Sequence, residues 1–194
     1  MIESLLTIDR AVGRAVAQWA GHFPALDVSM AALTLVGSYS GLWTALGIVS
    51  AVMGNRRARE GLVRIFWSLA LAGFVTTALF KPLVGRERPR WPTSAPTEAG
   101  ALVTSLAHGP SFPSGHAVHA GAGAYALSLV WPRRRAALAL LAALVGFSRV
   151  YFGVHYPLDV VAGLVLGVAA ARLATGGTPC YISTSVHGGS RVPR

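Results

Sequence analysis

An all-α integral-membrane bundle is the fold class this sequence predicts, with five transmembrane helices preceded by an N-terminal amphipathic interfacial helix. Three observations predict it. Charged residues make up only 12% of the 194-residue chain, about half the share in a soluble domain, and mean hydropathy is +0.53. Five stretches, roughly 26–53, 62–80, 115–131, 136–153 and 158–174, each approach the ~20 apolar residues that a bilayer core requires. Ahead of them, Leu5, Ile8, Val12, Val16, Trp19 and Phe23 recur at helical spacing, with Thr7, Arg10, Arg14 and Gln18 on the other face.

Residues 2–23 therefore read as a helix lying in the membrane interface. A sixth span is the alternative, and its central charges would be costly in lipid. The five stretches are expected to pack as one domain over residues 1–174, with residues 26–174 as the transmembrane core. Gly37 with Gly41, and Gly163 with Gly167, give small-xxx-small spacings that let helices approach closely. The connections 54–61 and 132–135 are short and basic. Residues 81–113 form one long connection rich in Pro, Ser, Thr and Gly, a length usual for a functional loop. Residues 175–194 read as a flexible polar tail, and its ending, Gly-Gly-Ser-Arg-Val-Pro-Arg, as an appended remnant outside the fold. Cys180 is the only cysteine, so no intrachain disulfide forms. Glu3 and Asp9 stand where a cleaved signal peptide would be positive.

The net charge of +10 comes from 16 arginines and one lysine against seven acids. Such a balance suits nucleic acid, an anionic membrane surface or an anionic substrate. The arginines fall between apolar stretches rather than along one polar face, which argues against nucleic acid and for the bilayer. Polar residues gather in three places. These are Lys81 to Pro89 after the second span, Phe112 to His116 before the third, and Ser148 to Asp159 between the fourth and fifth. If successive spans alternate in direction, all three arrive on the same side. Lys81, Arg88, Arg149, His116, His155 and Asp159 then share one pocket.

Three fixed cations around a small volume call for a multiply charged anion such as phosphate. Pro113-Ser114-Gly115 precedes a helix, whose first N–H groups bind phosphate. The two histidines supply a nucleophile and a general acid. Asp159, the only acid after Glu98, needs a partner at that depth, and His155 lies four residues before it. With Pro157 in the first helical turn, His155 sits at the helix mouth and Asp159 one turn inside. A carboxylate on one ring nitrogen would leave the other free for substrate. The acids show no ligand spacing near the histidines, so no metal and no cofactor are expected.

These clusters resemble the signature of the type 2 phosphatidic acid phosphatase superfamily: Lys-x6-Arg-Pro, then Pro-Ser-Gly-His, then Ser-Arg-x5-His-x3-Asp. Lys81 to Pro89, Pro113 to His116 and Ser148 to Asp159 match without a substitution, within a resemblance covering about residues 26–174. The resemblance implies that His155 attacks phosphorus and becomes phosphohistidine. It implies that Asp159 orients His155, and that His116 protonates the leaving oxygen and then activates water. Lys81, Arg88, Arg149, the Ser114 hydroxyl and the Gly115 N–H would hold the phosphoryl oxygens. A transporter or proton relay is the competing class, against which stand the missing inverted repeat and the clustering of charge at one interface. A vanadate-dependent oxidase is a third, against which stand the membrane spans.

Bacterial relatives of this size act on undecaprenyl diphosphate, phosphatidylglycerol phosphate, phosphatidic acid or lipid A phosphates. The expected substrate is undecaprenyl diphosphate, hydrolysed to undecaprenyl phosphate, with phosphatidylglycerol phosphate or phosphatidic acid as alternatives. Loops 54–61 and 132–135, with Arg172, oppose the three motifs. The positive-inside rule then puts the motifs on the extracytoplasmic side of a bacterial inner membrane. His119 is expected to pack, His22 and His108 to face solvent, and Trp91 and Trp131 to anchor at the interface. Arg86 and Arg90 are candidates for a substrate headgroup or lipid.

Overall fold

The computed structural model describes residues 1–54, 56–91 and 98–176; the tail with Cys180 lies outside them. The elements are α1 (Ile2–Ala17), α2 (Pro24–Val36), α3 (Gly41–Met53), α4 (Arg56–Phe74), α5 (Lys81–Val84), α6 (Glu98–Ser105), α7 (Gly115–Val130), α8 (Arg135–Tyr151) and α9 (Pro157–Thr175). Among the described residues there is no strand.

The centre of the bundle is α7, and its sequence says why. Ala117, Val118, Ala120, Gly121, Ala122, Gly123 and Ala124 are all buried, and a helix that is apolar all round is a core helix. Its side chains are small, so neighbours close on its backbone. A Cβ on Gly163 would stand 2.8 Å from the Ser114 carbonyl oxygen, and one on Gly167 would collide with that of Val118. The expected Gly163/Gly167 approach is thus the α7–α9 contact. From α3, fully buried Trp43 lies over Gly123, while Ile65, Leu69 and Ala72 of α4 join the same core.

Apolar side chains also cover the outside. Val49, Val52, Val63, Phe66, Phe74, Leu140, Val161 and Val165 are exposed, as lipid-facing residues are in a membrane bundle. Helix Ala58–Val84 and α9 are long and apolar enough to cross a bilayer, and α2 with α3 would make a third span if the bent pair is one. With 16 and 17 residues, α7 and α8 reach only about 24–26 Å at 1.5 Å per residue.

Three departures from the sequence reading bear on the site. The stretch 26–53 is broken by 68° at Gly37–Ser40, where Ser40 takes a left-handed φ of 66°. Gly37 meets Val145 of α8 at this break, whereas a Cβ on Gly41 would meet only the Val36 carbonyl oxygen at the end of α2, at 3.6 Å. The stretch 62–80 runs on through a π-helical segment, Val75–Phe80, into α5, and ends at Gly85 with φ 58°. The long 81–113 connection contains α6, whose Val103 is fully buried in a cluster with Met30 and Tyr151.

The N-terminal helix docks in an unexpected way. Leu5, Ile8 and Val12 of its apolar stripe are exposed, Val16 is half-buried against Ala117, Val150 and Val160, and the buried face is Asp9, Gly13 and Ala17. Hydrophobic periodicity found the helix, but the protein-facing side is its small and acidic one. Beyond α1, Asp27 ties the turn to α8: its Oδ1 accepts from Tyr151 Oη at 2.6 Å and from the Gly21 amide at 3.0 Å.

Candidate active site

One end of the bundle gathers the three polar segments. After Gly85 the chain crosses this end, and Arg86 O accepts from the Ser111 amide at 2.7 Å while Glu87 O accepts from Ser111 Oγ at 3.1 Å. This sets residues 86–88 against the segment leading into α7. Ser114 is the N-cap of α7, and its amide donates to Asp159 O at 3.0 Å. Between α8 and α9 the chain turns tightly. The Val154 and His155 amides both donate to Arg149 O, at 3.1 and 3.3 Å, and Gly153 takes a φ of 63°. Pro157 is the first residue of α9, and the Tyr156 amide donates to Asp159 Oδ2 at 3.0 Å in a capping box. The local rules that start α9 therefore also fix Asp159.

His155 is 2% exposed. Its Nε2 lies 3.1 Å from Arg88 Nη1. A guanidinium only donates, so Nε2 is the acceptor and the ring proton is assigned to Nδ1. Nδ1 is 3.6 Å from Asp159 Oδ2, too long for a hydrogen bond but close enough for electrostatic pairing. Burial pushes the His155 pKa down to about 4; Asp159 opposes this, and Arg88 and Arg149 add to it. With that shift the ring is neutral at pH 7, the form in which an imidazole nitrogen has a free lone pair. Arg88 is pinned by three carbonyls, those of Gly109, Val154 and His108, each at 2.9 Å. Burial lowers its pKa and Asp159 opposes the shift, but a guanidinium stays charged.

His116, in the first turn of α7, is held from the α2–α3 break. Its Nε2 lies 3.0 Å from Ser38 Oγ, whose own proton goes to Thr34 O at 2.8 Å. Ser38 Oγ is then the acceptor, Nε2 carries hydrogen, and Nδ1 is the nitrogen left to exchange a proton. The Thr34 hydroxyl continues to Ser148 Oγ at 2.7 Å, and Ser148 donates to Val145 O. Sequence reasoning missed Ser38. The signal was Gly37-Ser-Tyr-Ser-Gly41, a polar interruption read there as a packing motif.

Ser114 Oγ, Arg149 Nε and His155 Nδ1 are buried without a hydrogen-bond partner among the described residues. Buried polar groups are normally satisfied; His155 Nδ1 faces Asp159, and a phosphoryl group has oxygens for the Ser114 and Arg149 donors. The space beside Gly115 is open, and Lys81 is near enough to act electrostatically with Arg88 and His119. All eight residues expected in the site are thus at this end. A cleft of about 440 Å³, lined by Arg10, Arg86, Glu87, Arg88, Arg90 and Tyr156, forms its mouth. Among the described residues no group of three or more His, Cys, Asp or Glu side chains is arranged to hold a metal.

Other expectations need correction. Arg86 does not reach out to a headgroup: its Nη1 donates to Asp159 Oδ1 and its Nη2 to Asp9 Oδ2, both at 2.6 Å. Burial lowers its pKa, but these two carboxylates outweigh it, and the net shift is upward. Asp9 was passed over because it sits among exposed residues of an amphipathic pattern. Trp91 is packed edge-on to Tyr156, with ring centroids 5.4 Å apart, and Trp131 packs on the main core; both remain half-buried. His119 packs over Gly73, and His22 and His108 are exposed.

Comparison with known proteins gives a consistent picture. The PAP2 superfamily model matches residues 61–179. The chain is 36% identical over 103 residues to a lipid A 1-phosphatase of Rhizobium johnstonii, covering 53% of this chain and 42% of that one. It is 33% identical over 157 residues to decaprenylphosphoryl-5-phosphoribose phosphatase of Mycobacterium tuberculosis, covering 77% and 79%. The crystal structure of a transmembrane PAP2-type phosphatidylglycerolphosphate phosphatase from Bacillus subtilis superposes with a TM-score of 0.68 at 27% identity, over 90% of this chain and 86% of that one. The chain spans less than half the length of the Rhizobium lipid A 1-phosphatases it matches. With its matched span beginning in the first turns of α4 and running through all three polar segments, the chain belongs to the PAP2 superfamily.

Proposed function

We propose that this protein is a metal-independent phosphatase acting on a membrane lipid through a phosphohistidine intermediate. The observation that carries the reading is the convergence of a neutral, buried His155 with His116, Arg88, Arg149, Lys81 and the N-terminus of α7 at one end of a lipid-facing bundle. His155 Nε2 attacks phosphorus and the bond to the leaving oxygen breaks. His116, entering as the imidazolium with its second proton on Nδ1, gives that oxygen this proton. Arg88 Nη1 passes from the imidazole to a phosphoryl oxygen, and Arg149, Lys81, Ser114 Oγ and the Gly115 N–H take the others. Water then attacks phosphorus, His116 takes its proton, and the P–N bond breaks to release phosphate and neutral His155.

The substrate we favour is a polyprenyl diphosphate. The mouth beyond Arg88 adds Arg10 and Arg90, the latter paired with Glu87 at 3.3 Å, which leaves a net positive charge suited to a second phosphate. One relative is named for a decaprenylphosphoryl substrate. Phosphate release from undecaprenyl diphosphate, phosphatidylglycerol phosphate and phosphatidic acid in detergent tests this. The diphosphate is expected to give the highest kcat/KM, and higher values for both monophosphates would reject it.

Orientation belongs to the same proposal. Residues Met53, Gly54, Ala58, Val130, Trp131 and Arg134 line one cleft of about 710 Å³, at the end of α7 away from Ser114. Both basic loops meet there, which supports a cytoplasmic placement of that end. With Cys180 replaced, a cysteine at His108 is expected to react with an impermeant reagent in whole cells, and one at Arg134 to stay unlabelled. Labelling at Arg134 alone would invert the assignment.

A further inference from the structure

We propose that Asp9 and Arg86 are positioning residues for phosphoryl transfer, so that the N-terminal helix is part of the active-site apparatus. The inference rests on the reading of His155 as nucleophile. Arg86 spans two carboxylates with one fork: Nη1 to Asp159 and Nη2 to Asp9, each at 2.6 Å. The other oxygen of Asp9 accepts from the Leu158 amide at 2.8 Å, in the first turn of α9. The side chains of Asp9 and Asp159 are 1% and 0% exposed, and that of Arg86 is 18% exposed. The guanidinium also lies 3.9 Å over the Tyr156 ring.

Two features separate this arrangement from an ordinary surface ion pair. First, α1 turns Leu5, Ile8 and Val12 away from the protein, and of its apolar stripe only Val16 packs on the core, beside Ala117, Val150 and Val160, so the buried Asp9 contact is a large part of what seats it. One turn after Asp9, a Cβ on Gly13 would stand 2.5 Å from the Trp91 ring and 3.1 Å from Pro157. The helix backbone thus closely approaches Trp91 and Pro157, beside the turn that carries His155 and Asp159. Second, each Asp159 oxygen has a fixed donor, Arg86 on Oδ1 and the Tyr156 amide on Oδ2. The carboxylate cannot rotate without breaking one of them, and its Oδ2 is the atom facing His155 Nδ1. Arg86 therefore sets where the negative charge stands as His155 becomes cationic in the transition state, and Asp9 sets Arg86. Partners that orient a reacting group in this way typically contribute ~10–100-fold.

Single-turnover phosphate release, with saturating enzyme in excess over the lipid phosphate, tests the proposal. Its rate constant reports the chemistry of folded molecules, so a variant that merely loses folded protein keeps the wild-type value. Arg86→Gln is expected to lower the rate constant about 100-fold and Asp9→Asn about 10-fold. Arg86→Lys keeps the charge, but one nitrogen cannot serve both carboxylates, and a loss of about 10-fold is expected. The double variant Asp9→Asn/Arg86→Gln should be no slower than Arg86→Gln alone, because Asp9 acts through Arg86. Should Arg86→Gln not fold, Arg86→Lys and Asp9→Asn decide the matter. Wild-type rate constants in these variants, or losses that multiply in the double variant, overturn the proposal. His155→Ala, run beside them, separates the two ideas. If it turns over normally, the nucleophile reading itself fails. If it is dead while the Asp9 and Arg86 variants are normal, only the positioning role fails.

Discussion

His155→Ala is expected to abolish turnover and to leave no phosphoenzyme, whereas His116→Ala should lower kcat by about 10²–10⁴-fold, the usual contribution of a general acid–base group. The two histidines sit in different environments that fit different tasks. His155 is enclosed, neutral, and aims the nitrogen that accepts from Arg88 into the cationic pocket. His116 has one nitrogen tied to Ser38, which leaves the other for proton exchange. Rapid quench with a ³²P-labelled lipid should trap acid-labile, base-stable phosphate on the wild type and none on His155→Ala. Equal trapping on both proteins would remove His155 from the covalent step.

Arg149→Lys should lower kcat/KM by about 100-fold or more while the protein stays folded. Removing one preorganised donor to a developing charge costs about 10²–10³-fold, and lysine offers a point charge where arginine offers a planar fork. Arg149 is 3% exposed, and its Nε has no protein partner among the described residues. Its backbone carbonyl, which holds the Val154 and His155 amides, is unchanged by the substitution. The loss should therefore appear with normal thermal unfolding in detergent. Near-wild-type kinetics would show that fork geometry is not needed there.

What the sequence made legible was the part of the site built from local rules. Pro157 at the start of a helix and Asp159 two residues on predict a capping geometry by themselves, and that geometry places the carboxylate. The Ala/Gly content of α7 similarly announces a core helix. Ser38, Asp9 and Arg86 were not legible because their partners are 78, 77 and 73 residues away in the chain. No spacing within one helix reports such pairing. The facing of α1 was misread for a related reason. Periodicity shows that a helix has two sides, and in a membrane protein the apolar side has two possible neighbours, protein and lipid. The break at Gly37–Ser40 was hidden because apolar residues continue on both sides of it.

The π-helical segment Val75–Phe80 also decides the phase of the helix that follows. Ile65, Leu69, Ala72 and Thr76 are buried at ordinary α-helical intervals. At about 100° per residue, Lys81 would lie some 140° round from Thr76, on the flank given to lipid. An i→i+5 turn winds each residue through a smaller angle, roughly 80°, and over the same five residues Lys81 returns to within about 40° of Thr76. Leu79 and Leu83 are correspondingly exposed while Lys81 is partly covered. The chain's only lysine is thus turned toward the side of Thr76 by one extra residue of winding. Deleting one residue between Thr76 and Lys81 would return the segment to plain α-winding, four steps of about 100° from Thr76, and leave Lys81 in the same phase.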